Sequence, residues 1–350
     1  MSSAQAAADA LAPAKELAHL AQQFVERRTQ ALVAGAAPQI AALDNGTAYE
    51  TRAVYAAESV GVEKLAGYRD ALRGIGEAYA KHESSVTIVG VEVSGRTAVL
   101  TVDEDSTLHY ARIRGAEPTV TSWLAPREFT YEQRGAGWAL TGQRLLGGGV
   151  PPVNDPPAVT AEEARKALAE LPAADLAERA AVQSGPAITG TFNRSAAAAY
   201  ATRHAKSYNT AYRRFSDVGG DCTNFVSQSM RAGGWPNDLG WYRDATNWWY
   251  NAGGETWSWV NVAHWHSFAA VHSKRTTLMS GARSLVAGEV LQADFTNNGS
   301  KDHSMMVTLR QNGEVYLSYH TTDTLNRSYA SIAAAYPRAR WLPHFVKTTY

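Results

Sequence analysis

Cysteine is almost absent from this sequence, because the 350 residues contain one, Cys222. A single cysteine excludes any disulfide within the chain, so it leaves the redox compartment undetermined. Cys222 is therefore either free or paired only with another chain. Whether its thiol is a working nucleophile or a small apolar side chain in a core becomes the main question that the sequence raises.

Long apolar runs are also missing. No run approaches the roughly 20 residues that a membrane-spanning helix needs, and 45% apolar with 19% charged residues is typical of a folded globular protein. We expect no membrane span. The first twenty residues lack a basic segment followed by a continuous apolar one, so we expect no uncleaved signal peptide. The protein is then cytoplasmic, or a leader was removed before this numbering begins.

The chain has no excess of charge of either sign, since its formal net charge is zero. The halves differ, however: residues 1–186 hold 17 Lys and Arg against 23 Asp and Glu, whereas residues 187–350 hold 16 against 10. A basic C-terminal half fits an anionic substrate such as a cell-wall polymer, and it fits equally well docking onto the acidic half of the same chain. We expect no nucleic-acid partner.

The first half of the chain combines two kinds of hydrophobic period. Apolar residues recur at helical spacing before Gly35 and again across about 48–82, and from Ser84 to about 146 the period changes to two. Helices followed by an antiparallel meander predict an α+β module. The order of elements is similar to that of the cystatin-like and nuclear-transport-factor-like folds. No cluster of catalytic residue types is present there, so residues 1–145 are predicted to be an accessory domain.

The clearest break is "LGGGVPPVNDPP", residues 146–157, with three glycines and four prolines. After it, Thr160 and Glu163 match a capping box and predict a helix through about Ala181. We therefore predict an N-terminal domain over 1–145, a linker and connector helix over 146–189, and a C-terminal domain over 190–350.

The single cysteine lies in "VGGDCTNFVSQSMRAGGW". Gly219 and Gly220 allow a sharp turn, Asp221 is a favourable N-cap, and the residues from Cys222 to the glycine pair at 233–234 predict a helix. A thiol in the first turn of a helix has a lowered pKa because the unpaired N–H groups favour the thiolate. Free cysteine is nevertheless among the most buried residue types, so these residues alone favour a core side chain.

The candidate base lies on a predicted hairpin. "KDHSMMVTLRQNGEVYLSYHTTD" alternates on both sides of the turn Asn312-Gly313. A two-residue turn places position 305 opposite position 320, which puts His303 and His320 on one face, diagonal to each other at about 7 Å. One imidazole could then orient the other, although two ordinary sheet histidines fit the pattern as well.

A resemblance raises the catalytic interpretation above the alternatives. The stretches "FNRSAAAAYATRHAKSYNTAYRRF", "DCTNFVSQSMRAGGW", "TWSWVNV", "DHSMMVT" and "YHTTDTLNRS" resemble the bacterial putative amidase domain, a branch of the papain-like cysteine hydrolases related to the NlpC-type cell-wall peptidases. The resemblance covers about 190–345 and leaves the first domain unassigned. It implies an α+β core of papain type, in which the helix bearing the cysteine packs on an antiparallel sheet. It also implies an envelope or secreted location if a leader was removed.

The resemblance implies roles for several residues. Cys222 would attack an amide carbonyl, and His303 would take the thiol proton or pair with the thiolate. The third polar residue would be His320 by hairpin parity, with Asp323 as the second choice. The oxyanion would be held by the Cys222 N–H and by an upstream donor, for which Tyr208 and Asn209 are the candidates.

Two further residues are candidates for substrate binding. In NlpC-type peptidases an aspartate before the cysteine can hold a substrate amino group, but for Asp221 a helix cap is favoured. Seven tryptophans crowd residues 235–265, and they fit a buried core or a cleft lining; Trp241 is expected to reach the cleft.

His264 and His266 raise a metal alternative, but no further zinc-type ligand pattern accompanies them. We expect no metal and no cofactor.

Three functions remain open at this point. The leading one is a cysteine amidase or peptidase that cleaves a peptide or amide bond through a thioester, with peptidoglycan stem peptides as the expected substrate. The second uses the same thioester but transfers the acyl group to an amine, as in a ligase, cyclase or acyltransferase. The third is a binding module without turnover, which the retention of a cysteine and histidines in workable order disfavours.

Overall fold

The structure is a computed structural model that describes residues 3–33, 50–157, 159–184, 190–216 and 220–348, with side chains from residue 13 onward. The chain forms two compact units. The first consists of Met1–Arg112, Ser122–Leu146 and Pro151–Ala161, and the second of Ile113–Thr121, Gly147–Val150 and Glu162–Tyr350. The domain boundaries predicted at residues 146 and 190 stay a prediction.

The first unit contains two helices followed by antiparallel strands. Its elements are α1 Ser3–Gln30, α2 Arg52–Gly74, β1 Tyr79–Ser94, β2 Thr97–Tyr110, β3 Val120–Arg134 and β4 Gly137–Leu145. Strand β2 pairs antiparallel with β1 and neighbours β3, which pairs antiparallel with β4. Leu17 and Phe24 of α1 join Leu100 and Phe129 of the strands in one buried core, because these helix residues recur on one face. The predicted α+β class is confirmed; the cystatin-like or transport-factor-like shape stays a prediction.

The second unit holds the cysteine. Its helices are α3 Ala161–Ala169, α4 Leu176–Gln183, α5 Arg194–His204, α6 Cys222–Ala232, α7 Trp257–Val260, α8 Val262–His266 and α9 Tyr329–Ala335. Its strands are the two-residue pair β5 Tyr250–Asn251 and β6 Gly254–Glu255, then β7 Thr276–Leu278, β8 Val290–Asp294, β9 His303–Gln311, β10 Glu314–Tyr319, β11 Asp323–Ser328 and β12 Arg340–Val346. The single helix predicted over 160–181 is wrong, since α3 ends before Pro172, whose ring and missing N–H stop a helix.

The strands of this unit form an antiparallel sheet in the order β11, β10, β9, β8, β12, β7. Helix α6 packs against β9 and α5. Neighbouring residues of β9 point to opposite faces of the sheet: Met306 lies in a core with Phe225 and Val226 of α6, whereas Met305 lies in a second core with Ile332 of α9. The cysteine helix therefore covers one face of the antiparallel sheet, and α9 covers the other.

None of the helices in the described part of the chain combines the length and the apolar character that crossing a lipid bilayer requires.

Candidate functional site

Cys222 is the first residue of α6, as the sequence predicts. The turn into the helix needs glycine at position 220, whose φ is 111°, a value that other residues rarely adopt. A Cβ on Gly220 would also lie 3.1 Å from the Thr321 hydroxyl oxygen. The backbone N–H of Asp221 donates to that same oxygen at 2.9 Å. Close packing against Thr321 thus fixes where the helix begins; Gly219, the other glycine of the predicted turn, lies outside the described residues.

The thiol of Cys222 is buried, with 7% of the residue exposed. Its sulfur accepts a backbone hydrogen bond from Ser304 and lies 3.7 Å from the Thr223 hydroxyl oxygen. Burial raises the pKa of the thiol and the Asp221 carboxylate raises it further, while the bonds from Ser304 and Thr223 act in the opposite direction. The lowered pKa that the helix start predicts is therefore wrong for this thiol, because burial outweighs the hydrogen bonds and keeps the thiol in its protonated form.

His303 begins β9 and lies next to Ser304, whose amide contacts the sulfur. Its ring is 1% exposed and meets the Tyr319 ring edge to face at 5.1 Å. Burial lowers the pKa of His303 to about 3, so the imidazole is neutral at ordinary pH. Its Nε2 atom is buried without a hydrogen-bond partner. Within the described ranges, no hydrogen bond joins the Cys222 sulfur to a histidine nitrogen.

The hairpin that carries the histidines differs from the prediction in one respect. The turn is as predicted: Gln311 pairs with Glu314, and both Asn312 and Gly313 have positive φ. Further along, however, β9 contains one extra residue, Thr308, so that Leu317 pairs with Val307 and Ser318 pairs with Met306. A one-residue slip moves every following side chain to the other face. The predicted shared face of His303 and His320 is therefore wrong.

His320 lies on the face covered by α6, where its ring packs 4.3 Å from the Phe225 ring. Its Nδ1 lies 2.6 Å from Asp221 Oδ2, and its Nε2 lies 2.8 Å from the His204 carbonyl oxygen. Both ring nitrogens thus face acceptors and neither is left to orient His303. The geometry favours a structural role for His320 at the start of α6.

Asp221 is fully buried, and its side chain makes no capping bond to α6. The favoured interpretation of Asp221 as a side-chain cap is therefore wrong. Instead, Oδ1 accepts bonds from the Phe215 N–H at 2.8 Å and from the Asn224 amide at 2.9 Å, while Oδ2 meets His320. Both carboxylate oxygens are used inside the protein, which argues against the alternative that Asp221 holds a substrate amine.

The turn after β10 contributes an unusual backbone. Thr321 and Thr322 both have positive φ, 66° and 67°, although β-branched residues rarely adopt such values. Thr321 accepts the Asp221 N–H, and the Thr322 hydroxyl donates to the Val150 carbonyl. Two tertiary hydrogen bonds therefore hold this turn in place beside the cysteine helix.

The thiol at the start of α6 thus lies against Thr223 and the start of β9, whereas the His303 ring packs on Tyr319, on the sheet face that α9 covers. Residues 191–342 match the family model of a putative amidase domain. The suspected family is thereby confirmed for this part of the chain.

The chain is also similar to two Bacillus subtilis (strain 168) proteins. It is 34% identical to the uncharacterized protein YjcM over 142 residues and 32% identical to the uncharacterized protein YhbB over 156 residues, which is 37% and 43% of this chain. The matched segments span 31% and 49% of those two proteins. No solved structure gives a significant match.

Two of the other predicted residues, Tyr208 and Asp323, lie close to His320 in the amidase domain. The Tyr208 hydroxyl donates to Asp323 Oδ1 at 3.0 Å, and its ring packs 4.1 Å from the His320 ring. Asn209 donates to the Tyr200 hydroxyl at 3.0 Å. Burial raises the pKa of Asp323. No described contact joins Tyr208, Asn209 or Asp323 to the Cys222 sulfur, so their predicted oxyanion and orienting roles rest on the resemblance alone.

The tryptophan-rich segment of the amidase domain is mostly core. Four of the seven tryptophans are almost fully buried: Trp235, Trp248, Trp259 and Trp265. Trp241, by contrast, is 64% exposed, and its ring packs on Tyr242 at 4.6 Å. The predicted exposure of Trp241 is confirmed; its role in a substrate cleft stays a prediction.

The two histidines that raised a metal alternative have other partners. His264 contacts Asn261, and His266 Nδ1 lies 3.3 Å from His344 Nε2. In the part of the chain that the structure describes, no three His, Cys, Asp or Glu side chains are grouped as a metal site.

Sequence reasoning missed three polar residues near the thiol, namely Thr223, Ser304 and Gln292. Thr223 and Ser304 directly follow the predicted nucleophile and base, and both are fully buried. Gln292 is the one amide in a strand whose five residues are all buried. A polar side chain within a buried strand was the available signal, because it needs a polar partner.

Proposed function

We propose that the amidase domain hydrolyses an amide bond by thiol catalysis, with Cys222 as the nucleophile and His303 as general base and acid. The observation that supports the proposal is the contact between α6 and β9 beside the thiol, where the Thr223 hydroxyl lies 3.7 Å from the Cys222 sulfur and 3.1 Å from the Ser304 hydroxyl. Ser304 is bonded directly to His303, so this contact brings the start of the strand bearing the base against the start of the helix bearing the thiol.

The directions of the two pKa shifts define the first step. Burial raises the pKa of the Cys222 thiol and lowers that of His303 to about 3, so the resting pair is an uncharged thiol and a neutral imidazole. This step requires the His303 ring to turn from its contact with Tyr319 toward the thiol. His303 then accepts the thiol proton as the sulfur attacks the carbonyl carbon of the substrate. The resulting imidazolium protonates the leaving nitrogen, the C–N bond breaks, and a thioester remains on Cys222.

The second step reverses these roles. His303 removes a proton from water, the hydroxide attacks the thioester carbonyl, and the C–S bond breaks to release a carboxylic acid. The proton then returns to the sulfur. The helix N-terminus at Cys222 lies where oxyanion charge develops, and unpaired N–H groups there favour it.

Peptidoglycan stem peptides are the proposed substrate, by the kinship of the domain and by the basic balance of the C-terminal half. We suggest incubating the full chain with purified muropeptides, with and without hydroxylamine, and analysing the products by mass spectrometry. Wild type should release free acid without the amine, whereas Cys222→Ala should not. A product that forms only with the amine would indicate acyl transfer, and full activity of Cys222→Ala would exclude thiol catalysis.

A further inference from the structure

A continuous row of hydrogen-bonded side chains leads from the Cys222 sulfur into the core of the amidase domain. The Thr223 hydroxyl lies 3.7 Å from the sulfur and 3.1 Å from the Ser304 hydroxyl. The Gln292 amide nitrogen lies 3.0 Å from Ser304, and its oxygen lies 3.2 Å from His344 Nε2. The sequence alone does not show this row, because its members lie far apart in the chain, on α6, β8, β9 and β12.

The orientation of the Gln292 amide is determined by the backbone. Its nitrogen lies 3.1 Å from the Val262 carbonyl oxygen, and a carbonyl oxygen only accepts. The group facing Val262 must therefore be the NH₂, which also donates to Ser304. The Gln292 oxygen must then face His344, whose Nε2 donates to it. Burial lowers the pKa of His344 far below its ordinary value, so this ring is neutral and accepts the Thr276 hydroxyl at Nδ1.

The direction of the remaining bonds follows from burial. Ser304 and Thr223 are fully buried, and a buried hydroxyl hydrogen without an acceptor is costly. Because Ser304 already receives the Gln292 N–H, the acceptor for its own hydrogen among its described contacts is Thr223. The Thr223 hydrogen is then directed to its other contact, the Cys222 sulfur.

We propose that Gln292 is a positioning residue, which the Val262 carbonyl orients so that Ser304 donates to Thr223 and Thr223 donates to the Cys222 sulfur. The hydrogen bond to sulfur strengthens as the proton leaves and negative charge develops. The catalytic consequence rests on the proposed role of Cys222, whereas the hydrogen-bond direction itself does not.

Other titratable groups near the sulfur stay the same in the variants that test this inference. Asp221 directly precedes Cys222, and His303 directly precedes Ser304. His320 Nδ1 lies 2.6 Å from Asp221 Oδ2, and the charge of Asp221 acts on Asp323. His266 and His344 face the side-chain amide of Gln292. Differences between the variants can therefore be assigned to the hydroxyl row.

The test measures the rate of iodoacetamide alkylation of Cys222, the one thiol in the chain, as a function of pH in the full protein. Thr223→Val should raise the midpoint by roughly one pH unit, which is about tenfold less thiolate below the midpoint. Thr223→Ser keeps the hydroxyl and should retain the wild-type midpoint. Gln292→Leu should raise the midpoint in the same direction. Ser229→Ala serves as the matched control, because this buried hydroxyl of α6 bonds to the Phe225 carbonyl instead.

The double variant Thr223→Val/Gln292→Leu decides whether Gln292 acts through Thr223. If it does, the double variant has the midpoint of Thr223→Val alone, because the terminal donor is already missing. Additive shifts, or an unchanged midpoint in Thr223→Val, would overturn the inference. Alkylation needs no amide substrate, so these outcomes are independent of whether the amidase domain hydrolyses muropeptides. Thermal unfolding of each variant shows whether the midpoints come from folded protein.

Discussion

Asp221 Oδ2 and His320 Nδ1 lie 2.6 Å apart in a hydrogen bond between side chains that are at most 1% exposed. The pair ties the start of the cysteine helix to the end of β10. The remaining polar atoms of both groups also have partners inside the domain, and these partners offset the cost of burying the two groups. Removing one member leaves the other buried without this partner.

We predict that Asp221→Asn lowers the free energy of unfolding by about 1–3 kcal/mol, the usual cost of leaving a buried hydrogen-bonding group without its partner. Urea denaturation monitored by tryptophan fluorescence measures this change. Glu170→Gln is the control, since the Lys166–Glu170 pair is exposed and such pairs contribute roughly 0–1 kcal/mol. Equal effects of the two substitutions would contradict a structural role for the Asp221–His320 pair.

His303→Phe separates catalysis from packing. Phenylalanine retains an aromatic ring against Tyr319 and removes the buried Nε2 that lacks a partner. We therefore expect a melting temperature at least equal to that of wild type, together with a loss of amide hydrolysis of about 10²-fold or more, the usual contribution of a general base. An active variant, or one that is strongly destabilised, would contradict the proposed role of the ring.

Buried neutral histidines predict that the second unit loses stability in acid. In the folded state the pKa of His303 is lowered from 6.5 to about 3, and that of His344 is lowered well below 6.5. Since the unfolded chain binds these protons more readily, the stabilising contribution is complete above pH 6.5 and is lost as the pH falls toward 3.

Melting temperatures between pH 8 and pH 4 test this expectation. Wild type should be insensitive to pH above 6.5 and should melt at progressively lower temperature below it, with His303 alone contributing on the order of 3–5 kcal/mol over the full window. His303→Phe should show a smaller decrease. The same dependence in both proteins would indicate that folding does not lower the pKa of His303.

Gly220→Ala should both destabilise the domain and disturb the thiol. A φ of 111° disfavours any side chain, and the new Cβ would lie 3.1 Å from the Thr321 hydroxyl oxygen. We expect a loss of about 1–3 kcal/mol in unfolding free energy and altered iodoacetamide labelling of Cys222. Gly281→Ala is the matched control, because its Cβ would meet ordinary contacts at 3.6 Å. Equal stability of the two variants would show that the turn relaxes freely.

The sequence predicted local features of the site better than it predicted the pairing of distant strands. The start of α6 at Cys222 and the turn at Asn312-Gly313 follow from glycine positions and period, both of which are local. The bulge at Thr308 could not be predicted, because it interrupts the pairing of β9 with β10 without interrupting the apolar pattern of the sequence. One extra residue moved His320 away from His303 and toward Asp221.

Burial explains the other differences. Asp221 has the residue type and position of a helix cap, yet its carboxylate bonds to residues 215, 224 and 320. The third of these, His320, is 99 residues away and becomes a neighbour only in the folded domain. The role inferred for Gln292 likewise depends on its contacts with Val262, Ser304 and His344, which lie on other elements. A pattern along the chain identifies the groups that need partners but does not identify the partners.

The consecutive left-handed threonines at 321 and 322 limit how far this domain can be stabilised by engineering. Glycine at position 321 would relieve backbone strain of about 1–3 kcal/mol, and a design method that ranks sequences by stability would favour it. The same change removes the hydroxyl that receives the Asp221 N–H and would leave the start of α6 less well fixed. A search for heat-resistant variants is therefore expected to replace Thr321 and so to lower the reactivity of the Cys222 thiol. Libraries that aim to retain activity should leave Thr321 unchanged.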